Sequence, residues 1–462
     1  MNRREFALSA LSAAAVRGRA EAATGQPNIV YVILDDLGMY DTGCYGSRQI
    51  ATPNIDRVAA EGMKFTEAYS GCTVCAPARS TLMTGKHMGH TSVRANPGGV
   101  SLQADDFTIA QMLQKAGYAC GGFGKWGIGD LHGLFILAGP GIKQGVEIEL
   151  DTGKKVPLPG NRDFYRGKPA AGAFPAVDPA TGLKRQFSPY LIHGEMQKWL
   201  RERRNQPFFC YAPWTLPHGA HEIPESDPAW QLYKDKPWSL DARVHAAFVS
   251  IADRFVGETM SLIKELGVDG NTLFLFSSDN GAADTFGGSL NSAGNLRGQK
   301  TEMYEGGIRS PFLARFPGKI KAGSTSDLPI YFPDLMPTLA EFTGATALLP
   351  KGIDGMSIVP EITGRAKLNR ERPMYWEWNE GHFNLPYRVK MQACRKGRWK
   401  IVRNDMARPW ELYDLSKDPG EQHNLASTNQ SVVRELEAWV KNNRVDPPEQ
   451  VEPSKPEGRQ WR

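Results

Sequence analysis

The stretch PNIVYVILDD, residues 27–36, is a continuous apolar run that ends in two acids. A strand with one wet face alternates apolar and polar residues, whereas a run apolar at every position is a strand buried on both faces, as in a parallel sheet covered by helices. Open α/β sheets bind ligands at the carboxyl ends of such strands, so Asp35 and Asp36 stand where function is expected. The same rhythm recurs outward from it. Thr52 and Pro53 supply an N-cap and a first-turn proline for a helix through NIDRVAAEG. Residues 75–84 suit another helix, and further helices are predicted near 106–116, at 188–204 and at 240–266. Between them GYACGGFGK, PFFCYAPW and TLFLFSSDNG (272–281) read as strands, and SPFLARFPG (310–318) follows. This alternation predicts an α/β sandwich around a large, mostly parallel sheet flanked by helices.

Past about residue 345 the texture changes. PMYWEWN, YRVKMQACRKGRWKIVRN and WELYDLSKDPGE read as short antiparallel strands with turns, and SVVRELEAWVKNN as an amphipathic terminal helix. The expected organisation is an α/β domain over 24–345 and a smaller C-terminal subdomain over 346–462. Residues 1–23 read as a targeting segment: Arg3 and Arg4 precede a small-residue apolar stretch, and AEAA at 20–23 offers a cleavage site. This resembles a twin-arginine export signal, and it predicts a periplasmic or extracellular protein; the competing reading is a disordered basic tail.

A chain of 462 residues, 41% hydrophobic and 23% charged, has the balance of a soluble globular protein. No apolar run is long enough for stable membrane insertion. The net charge of +5 is mild and its Lys and Arg form no blocks, which argues against a nucleic-acid surface while leaving room for isolated anion pockets. With 48 Gly and 32 Pro the chain is loop-rich, so function is expected in its connections. Cys44, Cys120, Cys210 and Cys394 are scattered singly, which argues against a disulfide-dense scaffold.

CTVCAPARSTLMTG, residues 72–85, places Cys75, Pro77 and Arg79 in the order Cys-x-Pro-x-Arg and closes on Leu82, Thr84 and Gly85. Cys72 and Cys75 also spell Cys-x-x-Cys, which fits a redox pair, a disulfide or half of a metal site; none of these calls for Arg79, and no second such pair exists for zinc. Cys75 would begin a helix, where backbone N–H groups favour an anion. Asp35 and Asp36 at one strand end, with Asp279 and Asn280 at another, are hard oxygen donors suited to Ca²⁺ or Mg²⁺. One Asp-Asp pair is usually a solvated strand end, but two pairs at strand carboxyl ends carry more weight. Lys125 in GKWGIG, His218 in TLPHGAHE and Lys300 in LRGQKTEMYEGGIRSP complete the candidates.

Taken together these motifs resemble the type I sulfatases, of the alkaline phosphatase superfamily, over about residues 27–426. The resemblance implies that a maturation enzyme converts Cys75 to formylglycine. One hydroxyl of the aldehyde hydrate then attacks sulfur, and deprotonation of the other expels sulfate, a route closed to a plain thiol or alcohol. It further implies a divalent cation, usually Ca²⁺, on Asp35, Asp36, Asp279 and Asn280, completed by the oxygen at position 75. Lys125 and Lys300 would contact the sulfate oxygens, Arg79 the hydrate and the ligand carboxylates, and His218 would protonate the leaving group. The implied substrate is a sulfated small molecule or carbohydrate. Two departures stand out. Gly127 occupies a position where many relatives carry histidine, so the base is unassigned, with His90, His132 and His221 as candidates and His132 favoured. The segment after Gly129 lacks the usual Gly-Phe-Asp and aromatic-Gly-Tyr pattern and looks shortened, which predicts an altered pocket. The alternatives are a phosphate or phosphonate ester hydrolase of the same superfamily and a non-catalytic binder of sulfated glycans.

Overall fold

The computed structural model describes residues 25–96, 102–128, 187–218, 222–283, 286–380 and 388–446, with short strand pieces between 135 and 175. The expected export signal, His132 and His221 lie outside the described residues, as does most of the altered segment.

Strand β1 (Asn28–Asp35) is buried at all eight positions. Its side chains alternate between two cores: Ile29, Tyr31 and Ile33 enter one, Val30, Val32 and Leu34 the other. Each fully buried aliphatic side chain contributes about 1.5–3 kcal/mol, so a charge at Val32 would break the centre of the fold. Around β1 lie β2 (Met63–Phe65), β3 (Ala119–Gly122), β4 (Phe208–Pro217), β5 (Thr272–Ser278), β6 (Phe312–Arg315) and β7 (Ser324–Ser326), in the sheet order β7-β2-β6-β5-β1-β4-β3. The pairs of β1 with β4 and β5, of β4 with β3 and of β7 with β2 are parallel; β6 runs antiparallel to both its neighbours.

Helices cover both faces, as the alternation predicts. On the face of Val30 pack α1 (Pro53–Ala60), α4 (Ser188–Arg203) and the 26-residue α5 (Leu240–Glu265), which Ser239 caps at Ala242 N. On the face of Ile29 pack α2 (Cys75–Thr84), α3 (Ile109–Lys115) and α6 (Leu335–Thr343). One cap differs from expectation. Thr52 makes no capping bond to α1; Asp253 on α5 accepts from Asn54 N and Ile55 N at 2.9 and 2.8 Å instead. The Thr52 hydroxyl donates to Asp56 (3.1 Å) and accepts from Gly43 N (2.7 Å), so it holds the preceding loop.

The C-terminal strands β8 (Pro373–Glu380), β9 (Arg388–Lys396), β10 (Trp399–Arg403) and β11 (Glu411–Asp414) form an antiparallel sheet in chain order, followed by α7 (Gln430–Asn442). Met374, Trp376, Ala393, Ile401 and Leu412 share the core of Ile29 and Tyr31, and the Trp376 indole donates to Ser70 O at 2.8 Å. The small sheet is thereby seated beside the segment that leads into α2. Among the described residues no helix is long and apolar enough to cross a membrane.

Candidate active site

Because β1 and β5 are parallel neighbours in register at Leu34 and Ser278, their carboxyl ends bring Asp35 and Asp36 beside Asp279 and Asn280. Asp279 N donates to Leu34 O at 2.9 Å, and Asp36 N donates to the Asp279 carboxylate at 3.1 Å. Asp36 has a left-handed backbone, φ 68°, an unfavourable state for a residue with a Cβ. That turn lets consecutive carboxylates face the same point, where the side chain of Asp36 is held by Lys300 and Asn280.

Helix α2 delivers Cys75, only 3% exposed. Its thiol donates to Asp35 at 3.3 Å and accepts from Lys300 Nζ at 3.5 Å. Lys300 also lies 2.5 and 2.6 Å from the two Asp36 oxygens. Lys300 is fixed by its backbone: its N–H donates to Ala282 O (2.7 Å), and Thr301 N donates to Thr73 O (3.2 Å), tying this loop to the segment of Cys75. From beyond β3, Lys125 reaches Asp35 at 2.7 Å. Gly124 permits this, since a Cβ there would stand 2.0 Å from Pro213 O. Arg79, one turn into α2, donates to Asp279 from Nε (3.0 Å) and a terminal nitrogen (2.8 Å), and to Lys125 O at 2.6 Å. His218, just past β4, places its ring nitrogens 3.9 Å from Asp35 and 3.6 Å from Asp36, with its side chain 40% exposed. All nine residues expected from sequence therefore meet at one end of the sheet.

Electrostatics follow from this geometry. Burial alone would raise the Asp35 carboxyl, but Lys125, His218, Arg79 and Lys300 together hold it well below the usual range. Asp279 is raised by burial and by neighbouring Asp35, against the pull of Arg79. Burial, with Asp279 and Asp35 nearby, pushes the Cys75 thiol well above its ordinary value. A cysteine that attacks as thiolate needs the opposite shift.

The donor set fits a hard divalent cation. Ligand atoms of Asp35, Asp36, Cys75 and Asp279 lie within 4.8 Å of one another. Asn280 donates its Nδ2 to Asp36 (2.9 Å) and Gly281 O (3.0 Å), while its buried Oδ1 has no hydrogen-bond partner among the described residues. Three clustered carboxylates with a neighbouring amide whose oxygen is unpartnered offer the hard oxygen donors that Ca²⁺ or Mg²⁺ takes. The three carboxylates already face Arg79, Lys125 and Lys300, so a divalent ion would leave the site net positive, ready for an anion.

The candidate bases fare differently. His90 is not at the site. It lies beyond the far end of α2, bonded to Asp354 at 2.9 Å and stacked on His87, because Gly85 ends the helix and turns the chain away. Gly127 has φ +74°, and a Cβ there would stand 3.1 Å from Arg79 Cδ, so a side chain at this position would both strain the backbone and press on Arg79. One residue passed over in the sequence adjoins the site: Asn96, whose Oδ1 accepts from Ala76 N at 3.0 Å. The available signal was the valine ahead of Cys75, which leaves α2 without a cap of its own.

The family model described as Sulfatase matches residues 27–135 and 151–345, and that of N-sulphoglucosamine sulphohydrolase, C-terminal, matches 298–446. The chain is 30% identical to arylsulfatase A of Homo sapiens, over 86% of this chain and 83% of that protein. It is 26% identical to N-acetylgalactosamine-6-O-sulfatase of Bacteroides thetaiotaomicron, over 89% and 92%. The solved structure of Ps i-CgsB in complex with k-i-k-neocarrahexaose superposes with a TM-score of 0.70 at 25% identity, covering 93% of this chain and 94% of that one. With this agreement over both the large sheet and the small one, the chain belongs to the sulfatase family of sulfuric ester hydrolases, with its alkaline-phosphatase-like fold.

Proposed function

We propose that this sulfuric ester hydrolase removes sulfate from a sulfated carbohydrate after export, using formylglycine made from Cys75 by a maturation enzyme, with one Ca²⁺ on Asp35, Asp36, Asp279 and Asn280. The observation that carries the reading is the setting of Cys75, whose thiol is held between Asp35 and Lys300 within the cluster of Asp35, Asp36 and Asp279. The aldehyde hydrate supplies a nucleophilic oxygen that can later be released from sulfate, which a thiol cannot. The cation supplies Lewis acidity and positive charge for the sulfate oxygens.

The chain's own residues do the rest. Lys125 and Lys300, partly open to solvent at 21% and 17%, turn from Asp35 and Asp36 toward the incoming sulfate and neutralise charge on its oxygens. Arg79, fully buried, keeps Asp279 ionised and oriented. His218 stands at the mouth, where it donates a proton to the departing alkoxide oxygen. A carbohydrate substrate is supported by the N-acetylgalactosamine-6-O-sulfatase relative and by the neocarrahexaose-bound neighbour. Export rests on the arginine pair and small-residue stretch of residues 1–23.

The test is a peptide mass spectrum across Cys75 from protein co-produced with a formylglycine-generating enzyme, followed by turnover of matched sulfated and phosphorylated sugars with and without chelator. Conversion of Cys75 and cation-dependent release of sulfate are expected. Full activity with an unmodified thiol would overturn the formylglycine assignment, faster release of phosphate than sulfate would favour the phosphoryl alternative, and unchanged rates after exhaustive chelation would remove the cation.

A further inference from the structure

Helix α2 begins on Cys75 without a capping side chain of its own. The residue ahead of it is Val74, extended at φ −143°, and valine has no oxygen to offer the free N–H groups of the first turn. Asn96 fills that role from 20 residues further along the chain, its Oδ1 accepting from Ala76 N at 3.0 Å. The segment from Thr91 to Asn96 runs back along the helix, for Thr91 meets the Ser80 hydroxyl while Asn96 reaches the first turn.

The position of Asn96 is imposed from below. Arg94, fully buried, donates to Thr91 O (2.8 Å), Gly89 O (2.9 Å), the Glu377 carboxylate on β8 (3.1 Å) and Val445 O beyond α7 (2.7 Å). Its own carbonyl accepts from Asn379 N at 2.9 Å. Asn96 itself is exposed, so no core requirement explains it. The N–H it holds belongs to the peptide plane between Cys75 and Ala76. Holding that plane restrains rotation about the Cα–C bond of residue 75, and with it the direction in which Cβ leaves the backbone toward Asp35 and Lys300.

We infer that Asn96 is a positioning residue for the nucleophile, held in place by the C-terminal sheet and tail through Arg94. The inference rests on the reading of Cys75 as the source of the nucleophile. It makes the C-terminal segment part of the catalytic apparatus without any of its residues touching the reacting atoms.

The test compares Asn96→Ala and Asn96→Asp with the parent in two measurements. In metal-loaded, matured protein, with rates normalised to formylglycine content, Asn96→Ala lowers kcat for p-nitrophenyl sulfate roughly five- to tenfold with KM nearly unchanged. Asn96→Asp keeps an acceptor oxygen and restores most of kcat, while its added charge repels the sulfate and raises KM. In unmatured protein, amide hydrogen exchange at Ala76 speeds up in Asn96→Ala and slows again in Asn96→Asp. Unchanged kcat or unchanged exchange in Asn96→Ala overturns the inference, as does an Asn96→Asp as slow as Asn96→Ala, or a change confined to KM in Asn96→Ala. A matured parent that cleaves no sulfate ester sinks the reading of Cys75 and this inference together; an active parent matched by Asn96→Ala sinks this inference alone.

Discussion

At the carboxyl ends of β1 and β5, Asp35, Asp36 and Asp279 face Arg79, Lys125 and Lys300. Where the C-terminal sheet meets the same core, Glu305 and Glu421 close on Lys400, 2.9 and 2.8 Å away. Both are clusters of buried charge, yet they are built to opposite ends. Lys400 has no exposed surface, Glu305 also accepts from Arg309 (2.9 Å) and from the Tyr69 hydroxyl (2.7 Å), and Glu305 N donates to Glu421 at 2.6 Å. That cluster is shut. At the strand ends the two lysines and His218 reach solvent, and Asn280 Oδ1 has no partner among the described residues. Burial of charge is thus no mark of a site. The mark is cations that reach solvent and are left free to change partners.

The comparison breaks most sharply at Cys75. Cys75→Ala should abolish turnover while the fold survives, whereas Cys72→Ala should remain active, since the Cys72 thiol only donates to Glu377 O at 3.3 Å away from the carboxylates. Steady-state assays on both variants decide this, and an inactive Cys72→Ala of normal stability would show the wrong cysteine has been chosen. Next in size is His218→Ala. Loss of a positioned acid lowers the rate about 10²–10⁴-fold for alkyl and sugar sulfates, whose leaving oxygens need a proton, and far less for nitrophenyl sulfate. Equal losses on both leaving groups would remove His218 from proton transfer.

The shut cluster should answer in the other currency. Lys400→Met takes from Glu421 its paired lysine and leaves Glu305 to Arg309, a loss of about 3–5 kcal/mol in urea unfolding. Turnover per folded molecule should stay within about twofold, because Lys400, Glu305 and Glu421 make none of their side-chain bonds to the strand-end residues. A stable Lys400→Met with depressed kcat would mean the two clusters are coupled.

What was legible in the sequence were the features written in local patterns. The doubly buried β1 is readable because every position is apolar, and the nine site residues because each sits in a short motif at the end of a strand or the start of a helix. The misreadings arose where chain-distant partners decide. Thr52 has the right chemistry for a cap, but Asp253, 199 residues away from Asn54, takes the N–H groups first. His90 is only a few residues past α2, yet the helix itself carries it away from Cys75, about 1.5 Å per residue. Gly127, read as a missing histidine, is at φ +74° against Arg79, a conformation no composition or periodicity reports. Asn96 escaped notice because a cap supplied across 20 residues leaves no mark beyond the unsuitability of Val74.

The smallest effect tests how tightly the shut cluster is closed. Burial would raise the Glu305 carboxyl, but Lys400, Arg309 and Arg395 hold it down to about 2. Glu421 is pushed up to about 7 by burial, with Lys400 opposing and Glu305 adding to the rise. One lysine therefore serves two acids, and the second holds its proton up to about pH 7. An unfolded glutamic acid releases its proton near 4.5, so between about 4.5 and 7 the folded chain holds more protons than the unfolded one. By linkage, Glu421 makes stability fall as pH rises through that window. Glu421→Gln cannot titrate, and it should flatten this slope by about 1–3 kcal/mol over the window, read as ΔG from urea unfolding at successive pH values. An unchanged slope would mean that Glu421 is ionised throughout, with Lys400 and the neighbouring arginines strong enough to hold both carboxylates charged, and the contrast between the shut cluster and the open one would then rest on exposure alone.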